Sequence, residues 1–268
     1  MVKIVVCVKG IPDPEIVSSI FRVDEKTKKV MPLPGTRFVM SPFDEQAVEL
    51  ALRIRDALGE GSITLLSLGA ENTRSIVKHG LSLGADDAVM LVDQVFDDGD
   101  SYTTARALAA AIERMGDVDL VLTGRQAADG DSGVVGCGIA EMLVFPAVTF
   151  AMDIAVTGGM LVVERVLGEG SEIIEAPIPA VVTVSHEVGK VRYASLRETM
   201  KAARKPVAVW TVEELGLDSS DLGARGARRV LERLYVPVND VQCEYIVGET
   251  PEELAGNLVE RLYAAGLI

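Results

Sequence analysis

Four short runs rich in β-branched residues, KIVVCVK (3–9), SITLLSL (62–68), AVMLV (88–92) and VDLVLTG (118–124), recur through the first half of the chain. The stretches between them carry apolar residues three and four positions apart. Continuous apolar runs suit strands buried on both faces of a parallel sheet, and the three-four spacing suits helices that cover it. The clearest helix follows Met40. There SPFDEQAVELALRIRDALG offers Ser41 as N-cap, Pro42 at the first helical position, Asp44 as the acid of a capping box, and Ala47, Leu50, Ala51, Ile54 and Leu58 on one face. A second helix is expected from about Asn72 to Leu83, stopped by Gly84, and a third over 101–115 with Ala105, Leu108, Ala109 and Ile112 inward. This alternation implies right-handed crossovers and predicts an α/β fold built on an open, doubly wound, mostly parallel sheet.

At 151 the period changes to two. AMDIAVTGGMLVVERVLGEGSEIIEAPIPAVVTV (151–184) is interrupted at Gly158-Gly159 and at Gly168-Glu169-Gly170, so the sheet is expected to gain antiparallel strands joined by hairpins. Beyond Val207 the chain is more polar. It closes on ETPEELAGNLVERLYAAGLI (249–268), where Thr250 as N-cap, Pro251 and the stripe Leu254, Leu258, Leu262 predict a terminal helix. The expected organisation is an α/β body over 1–206 and a C-terminal extension over 207–268.

Composition narrows the function. With 268 residues, 49% hydrophobic and 25% charged, the chain can bury a substantial core, and no stretch reaches the roughly 18 apolar residues of a membrane span. The N-terminal apolar run is too short for a secretory leader and is expected to be the first strand. Cys7, Cys137 and Cys243 form no C-x-x-C pair, and the two histidines, His79 and His186, stand alone, so neither a zinc site nor a disulfide framework is expected. A reducing cytoplasm fits this cysteine usage. A net charge of −14 and an aromatic content of 4% argue against a nucleic-acid partner.

The most informative loop is RQAADGDSGVVG (125–136), which follows the strand VDLVLTG. In an open parallel sheet ligands sit beyond the carboxyl ends of strands. A helix is expected to start near Ser132 or Gly133; its free N–H groups and dipole favour an anion, and Gly130, Gly133 and Gly136 let backbone approach a bulky phosphate. Asp129 and Asp131 oppose a phosphate, so they are assigned either to capping their own turn or to accepting from sugar hydroxyls. The glycine spacing matches neither G-x-G-x-x-G nor the P-loop, and by itself fits an ordinary turn as well as a nucleotide loop.

Five blocks in order, VCVKGIPDPE (6–15), SPFDEQAVELALRI (41–54), VDLVLTGRQAADGDSGVVG (118–136), IPAVVTV (178–184) and RYASLRETMKAARK (192–205), resemble the β subunit of electron transfer flavoprotein over nearly the whole chain. The resemblance implies a heterodimer with an FAD-carrying α subunit, in which the body over 1–206 binds a second nucleotide and the extension over 207–268 packs on the partner. That nucleotide is AMP in housekeeping carriers and a second FAD in electron-bifurcating members. The family's nucleotide site falls on Cys7, on Ser41, Pro42, Phe43 and Asp44, on Leu68, on Gly124, and on Asp129, Gly130, Asp131, Ser132, Gly133, Val134 and Val135.

The housekeeping pattern has Asn at Ser41, cysteine at Asp44 and Leu68, and three successive aspartates followed by Asn-Gln in the loop. The smaller loop here resembles the bifurcating pattern, although the Thr-Ala-Gln-Val-Gly-Pro that commonly continues it is replaced by Ser132-Gly133-Val134-Val135-Gly136-Cys137. FAD is therefore expected, with AMP as the alternative. Bifurcation would take electrons from NADH and divide them between the α-subunit flavin, serving an acyl-CoA dehydrogenase, and a low-potential acceptor such as ferredoxin. Arg125 is the candidate for stabilising a reduced, anionic flavin, and its bland alternative is a surface or ion-pair arginine. No catalytic acid, base or nucleophile is required. A non-redox nucleotide-binding regulatory module is the rival from another class.

RYASLRETMKAARK also reverses the local charge, with Arg192, Arg197, Lys201, Arg204 and Lys205 against Glu198. In the family this segment docks onto acyl-CoA dehydrogenases through a leucine, which maps to Leu196. Arg192, Tyr193, Leu196, Arg197, Met200 and Lys201 are the expected docking residues, against the alternative of a solvated basic helix end.

Overall fold

The computed structural model describes residues 1–15, 22–31, 36–237 and 243–268. Strand β1 (Lys3–Cys7) leads into an excursion of three-residue strands, β2 (Gly10–Pro12), β3 (Arg22–Asp24), β4 (Lys29–Met31) and β5 (Phe38–Met40). These pair antiparallel as β2 with β5 and β3 with β4. Three strands are then separated by helices: α1 (Pro42–Leu58), β6 (Ser62–Leu68), α2 (Arg74–Leu83), β7 (Asp87–Leu91), α3 (Ser101–Met115) and β8 (Leu120–Gly124). After α4 (Val135–Leu143) come β9 (Ala147–Thr157), β10 (Met160–Leu167), β11 (Gly170–Pro177) and β12 (Ala180–Val184). The chain continues through α5 (Leu196–Arg204), β13 (Ala208–Trp210), α6 (Val212–Leu215), α7 (Gly223–Gly226) and α8 (Pro251–Ala264).

The main sheet runs β11-β10-β9-β12-β8-β1-β6-β7-β13. From β9 across to β13 every pair is parallel, and β10 and β11 add the antiparallel edge. The α/β, doubly wound, mostly parallel expectation is met. Side-chain alternation along β1 explains both covering layers. Ile4, Val6 and Val8 join the core under α1 and α2, with Leu50, Ile54 and Val77. Val5 and Cys7 point to the opposite core, with Leu108, Ile112 and Ile139 from α3 and α4. The β9–β10 hairpin turns on Gly158 and Gly159, both with positive φ (60° and 80°), the conformation that a tight two-residue turn demands.

The four parallel strands and three helices expected in the first half lie within a few residues of their expected places. The short strands of the excursion were not anticipated, because three residues are too few to display a period. Two local expectations fail. Helix α4 starts at Val135 rather than near Ser132 or Gly133, since Gly133 is held at φ +62°, outside helical space. Ser41 precedes α1 but its side chain makes no cap, and Asp44 completes no capping box, because its carboxylate is drawn away to the sheet. Thr250 does cap α8, accepting from the Glu253 amide. Residues 208–210 extend the sheet edge beside β7, and Arg114 stacks 5.0 Å from the Trp210 ring. On α8, Leu254 and Leu258 are exposed. Among the described residues no helix is long and apolar enough to cross a membrane.

Glycine closes the packing of α4. A Cβ on Gly136 would sit 2.6 Å from Thr123 Oγ1 and 2.7 Å from Thr183 Cγ2, on β8 and β12, so the helix would have to lift from the sheet. Gly136→Ala is expected to cost about 1–3 kcal/mol in urea unfolding. Gly130→Ala, whose Cβ would meet nothing within 4 Å, is the near-neutral control. Equal stability of the two variants would show that α4 adjusts freely.

Candidate functional site

The strand order reverses at β1. The chain proceeds from β1 outward to β6 and β7 on one side, then crosses back to β8 on the other. A crevice must open beyond the carboxyl ends of strands that diverge in this way. A cleft of about 600 Å³ lies there, within the range of cofactor sites. Its walls include Cys7, Asp44, Leu68, Gly124, Arg125 and Asp129, followed by Gly130, Ser132, Gly133 and Val135 of the loop. Ten sequence-selected residues therefore share one cavity. Ser41, Pro42, Phe43, Asp131 and Val134 do not line it. Ser41 is fully buried, and its hydroxyl finds no partner among the described residues.

Asp44 organises the floor. Its Oδ2 accepts the Lys9 amide at 2.7 Å, just past β1, and its Oδ1 accepts the Gly124 amide at 3.2 Å, at the end of β8. Gly124 has to be glycine: a Cβ there would fall 2.4 Å from Asp44 Oδ1 and 2.8 Å from Phe43 Cβ. Burial pushes the Asp44 carboxyl up to about 7, against the pull of the two amides. Burial likewise pushes the Cys7 thiol up, so this side chain packs as a small apolar group and is not a reactive thiolate.

The loop aspartates are both occupied by side chains. Asp129 Oδ1 accepts from Lys9 Nζ at 2.8 Å, and Asp131 Oδ1 accepts from Gln126 Nε2 at 2.8 Å. Asp131 and Gly133 take positive φ (47° and 62°), which turns the backbone toward the start of α4. The Arg125 guanidinium stands between two rings, 5.4 Å from Phe43 and 5.5 Å from Phe150. Among the described residues it donates to neutral groups, Gln126 Oε1 at 3.2 Å and Ser185 Oγ at 3.4 Å, and the Glu187 carboxylate behind Ser185 feels its charge. Phe150 holds φ +62°, a strained value for an aromatic residue.

Sequence reasoning missed three parts of the cleft. Lys9 closes the run KIVVCVK and was the nearest signal. The segment from Asp98 to Ser101 lies at the carboxyl end of β7, where an acidic turn followed by a helix cap was visible in DDGDS. Arg229, Val230 and Leu231 also reach the cleft, and no local pattern points to that placement.

The proposed docking segment forms α5, capped reciprocally by Ser195 and Glu198. Tyr193, Leu196 and Met200 are 88%, 78% and 56% exposed, and Leu196 and Met200 stand one turn apart on one face. Arg197 and Lys201 are exposed beside them. Arg192 is turned inward, donating to Glu49 at 2.8 Å and to Asp56 at 3.1 Å. Lys78 Nζ caps the end of α5 through the carbonyls of Ala202, Ala203 and Lys205, and Lys205 Nζ returns to the carbonyls of Ala85 and Asp86.

A model of the electron transfer flavoprotein domain matches residues 35–215. The chain belongs to the electron transfer flavoprotein family. The electron transfer flavoprotein subunit beta of Thermoanaerobacterium thermosaccharolyticum is 36% identical, covering 99% of each chain. The caffeyl-CoA reductase-Etf complex subunit CarD of Acetobacterium woodii is 34% identical over 97% of each. Protein FixA of Azorhizobium caulinodans is 33% identical over 87% of this chain and 84% of its own. As an electron transfer flavoprotein β subunit, the chain serves electron transport in a flavin-associated system.

The Asp44 carboxyl supplies a pH test. Its folded value near 7 exceeds the ordinary 3.8, so between those pH values the folded chain keeps a proton that the unfolded chain has released. Stability from this group is full below the ordinary value and is lost as pH rises toward about 7. Asp44→Asn is expected to be less stable throughout, since its NH2 faces one of two N–H donors, but to lack this fall. Urea unfolding across the range reads it; an unchanged slope would mean that Asp44 titrates normally.

Proposed function

We propose that this chain is the β subunit of a heterodimeric electron transfer flavoprotein and binds a second FAD in the cleft at the β1–β8 switch point. Bound there, FAD would accept electrons from NADH and divide them between the α-subunit FAD, serving an acyl-CoA dehydrogenase, and a low-potential acceptor such as ferredoxin. The observation that carries the reading is the loop at 129–133. Gly130 presents open space, with nothing within 4 Å of a would-be Cβ, beside a cleft of about 600 Å³. Backbone and small side chains leave room beside the phosphates for the remainder of a dinucleotide. The chain's own residues would hold the cofactor through the amides of the loop and of the first turn of α4, while the positive charge of Arg125, held between two rings, favours a reduced, anionic flavin.

The FAD site residues in this reading are the ten that line the cleft. The docking surface is α5, with Leu196 and Met200 as apolar anchors and Arg197 and Lys201 as a steering rim for an acidic partner. Arg192, held by Glu49 and Asp56, would position this segment instead of touching the partner. The relative from Acetobacterium woodii, named as part of a complex with caffeyl-CoA reductase, favours a CoA-thioester enzyme as that partner. The extension over 207–268, with the exposed leucines of α8, is assigned to the α subunit, and the compartment to the cytoplasm.

The second reading, a simple carrier with structural AMP, is favoured by the absence of the glutamine and proline common in bifurcating loops. Cofactor release and chromatography on the chain expressed with its α subunit separate the two. Two FAD and no AMP per heterodimer are expected, and Gly130→Asp is expected to lose one FAD while the α-subunit flavin stays. One FAD with one AMP would make the chain a simple carrier, and no flavin at all would favour a non-redox nucleotide-binding module.

A further inference from the structure

Among the described residues four carboxylates line the cleft, Asp44, Asp98, Asp100 and Asp129, in a chain of net charge −14. Each is disarmed. Burial favours the protonated form of Asp44, Lys29 pairs with Asp98 at 2.8 Å, and Lys9 pairs with Asp129 at 2.8 Å. Asp100 is consumed by four amides. Its Oδ1 accepts from Tyr102 and Thr103 at the start of α3, and its Oδ2 accepts from Arg228 at 2.8 Å and Arg229 at 3.0 Å. One side chain thus caps a helix and ties down a segment that lies 128 residues further along the chain.

That segment is a strap fixed at two further points. The Arg228 guanidinium lies 3.5 Å from the centre of the Tyr102 ring, and the Leu231 carbonyl accepts from Lys28 Nζ at 2.6 Å. Between these anchors Arg229, Val230 and Leu231 line the cleft. Among the described residues no hydrogen bond or ion pair holds the Arg229 guanidinium, whereas Lys9 is spent on Asp129. Val230 and Leu231 are 80% and 52% exposed, an apolar surface that the described residues do not cover fully. A free cation next to an exposed apolar pair matches a nucleotide, anionic at one end and flat and apolar at the other.

We infer that the strap at 227–231 is the outer wall of the nucleotide site, in which Arg229 binds a phosphate and Val230 and Leu231 cover the base or ring. This deepens the proposed function and rests on its nucleotide site. Asp100 is the positioning residue: it holds the strap by backbone amides and leaves the Arg229 side chain free to engage the ligand. The strap lies within the stretch at 207–268, so this wall of the site comes from the C-terminal extension.

The test uses the full chain with its α subunit, freed of the β-site nucleotide and titrated calorimetrically with AMP and with adenosine. Arg229→Gln is expected to weaken AMP about tenfold, the scale of one charge-assisted hydrogen bond, and to leave adenosine unchanged. Asp100→Asn keeps a good helix cap but loses an acceptor for the strap, so it is expected to weaken both ligands. In the unchanged protein AMP is expected to slow hydrogen exchange at the Arg228 and Arg229 amides. An AMP-to-adenosine affinity ratio unaltered by Arg229→Gln overturns the role of Arg229, and exchange at 228–229 indifferent to AMP overturns the strap as a wall. If the unchanged protein binds neither compound, the nucleotide site itself is wrong and the inference falls with it.

Discussion

The site depends on a single buried carboxylate. Asp44 begins α1, yet both of its oxygens are spent on amides from elsewhere, one just beyond β1 and one at the end of β8. These are the two strands between which the sheet reverses direction, so the carboxylate bridges the gap that the topology opens. An apolar residue there would leave two buried N–H groups unpaired, at a cost of about 1–3 kcal/mol each. The same bridge draws Phe43 and Gly124 together and permits only hydrogen at Gly124. Helix α1 therefore enters at a position set by the sheet and not by its own cap, which is why Ser41 is left buried with an idle hydroxyl.

Charge on the cleft walls follows from the same economy of partners. An acidic chain can host an anion only if the nearby carboxylates are neutralised or turned onto N–H donors of the chain itself, and here three different means serve. Asp44 is desolvated, Asp98 and Asp129 are paired with lysines, and Asp100 accepts four amides. For Asp100, burial works against ionisation, but the four amides outweigh it and hold the carboxyl below its ordinary value. The two lysines come from outside the loop that bears the glycines, so the loop stays small. Placing the cations just past β1 and on the β3–β4 hairpin leaves the loop backbone unobstructed. The loop aspartates, which look at first sight hostile to a nucleotide, are structural anchors for Lys9 and Gln126.

The fold was legible in the sequence wherever burial imposed a period. Ile4, Val6 and Val8 alternate with Val5 and Cys7 because both faces of β1 are covered, and α1 to α3 show their inward stripes for the same reason. The loop at 125–136 was legible because strand, glycines and helix are contiguous. The rest of the cleft is assembled by long-range contact, and no local pattern encodes it. Arg229 and Asp100 are 129 positions apart, and Lys28 meets Leu231 across 203. The capping box at Ser41 and Asp44 misled because a local pairing and a tertiary one compete for the same carboxylate, and two amides from the sheet prevail over one local turn. Arg192 misled similarly, since its charge is visible in sequence but Glu49, one helix face away in space, is not.

Helix α5 shows how a marginal element can be held still. Nine residues with only Ala202 buried would not persist as a helix in water. Reciprocal capping by Ser195 and Glu198 fixes its start, and Lys78 gathers the carbonyls at its end, satisfying acceptors that a short helix otherwise leaves to solvent. Lys205, just beyond, fastens the following chain to Ala85 and Asp86, and Arg192 fastens the preceding chain to Glu49. Two of the basic residues in this segment thus serve its own placement. What remains outward is a small apolar pair, Leu196 and Met200, between Arg197 and Lys201, held by polar contacts at both ends, so that little ordering entropy would be left to lose in the proposed docking.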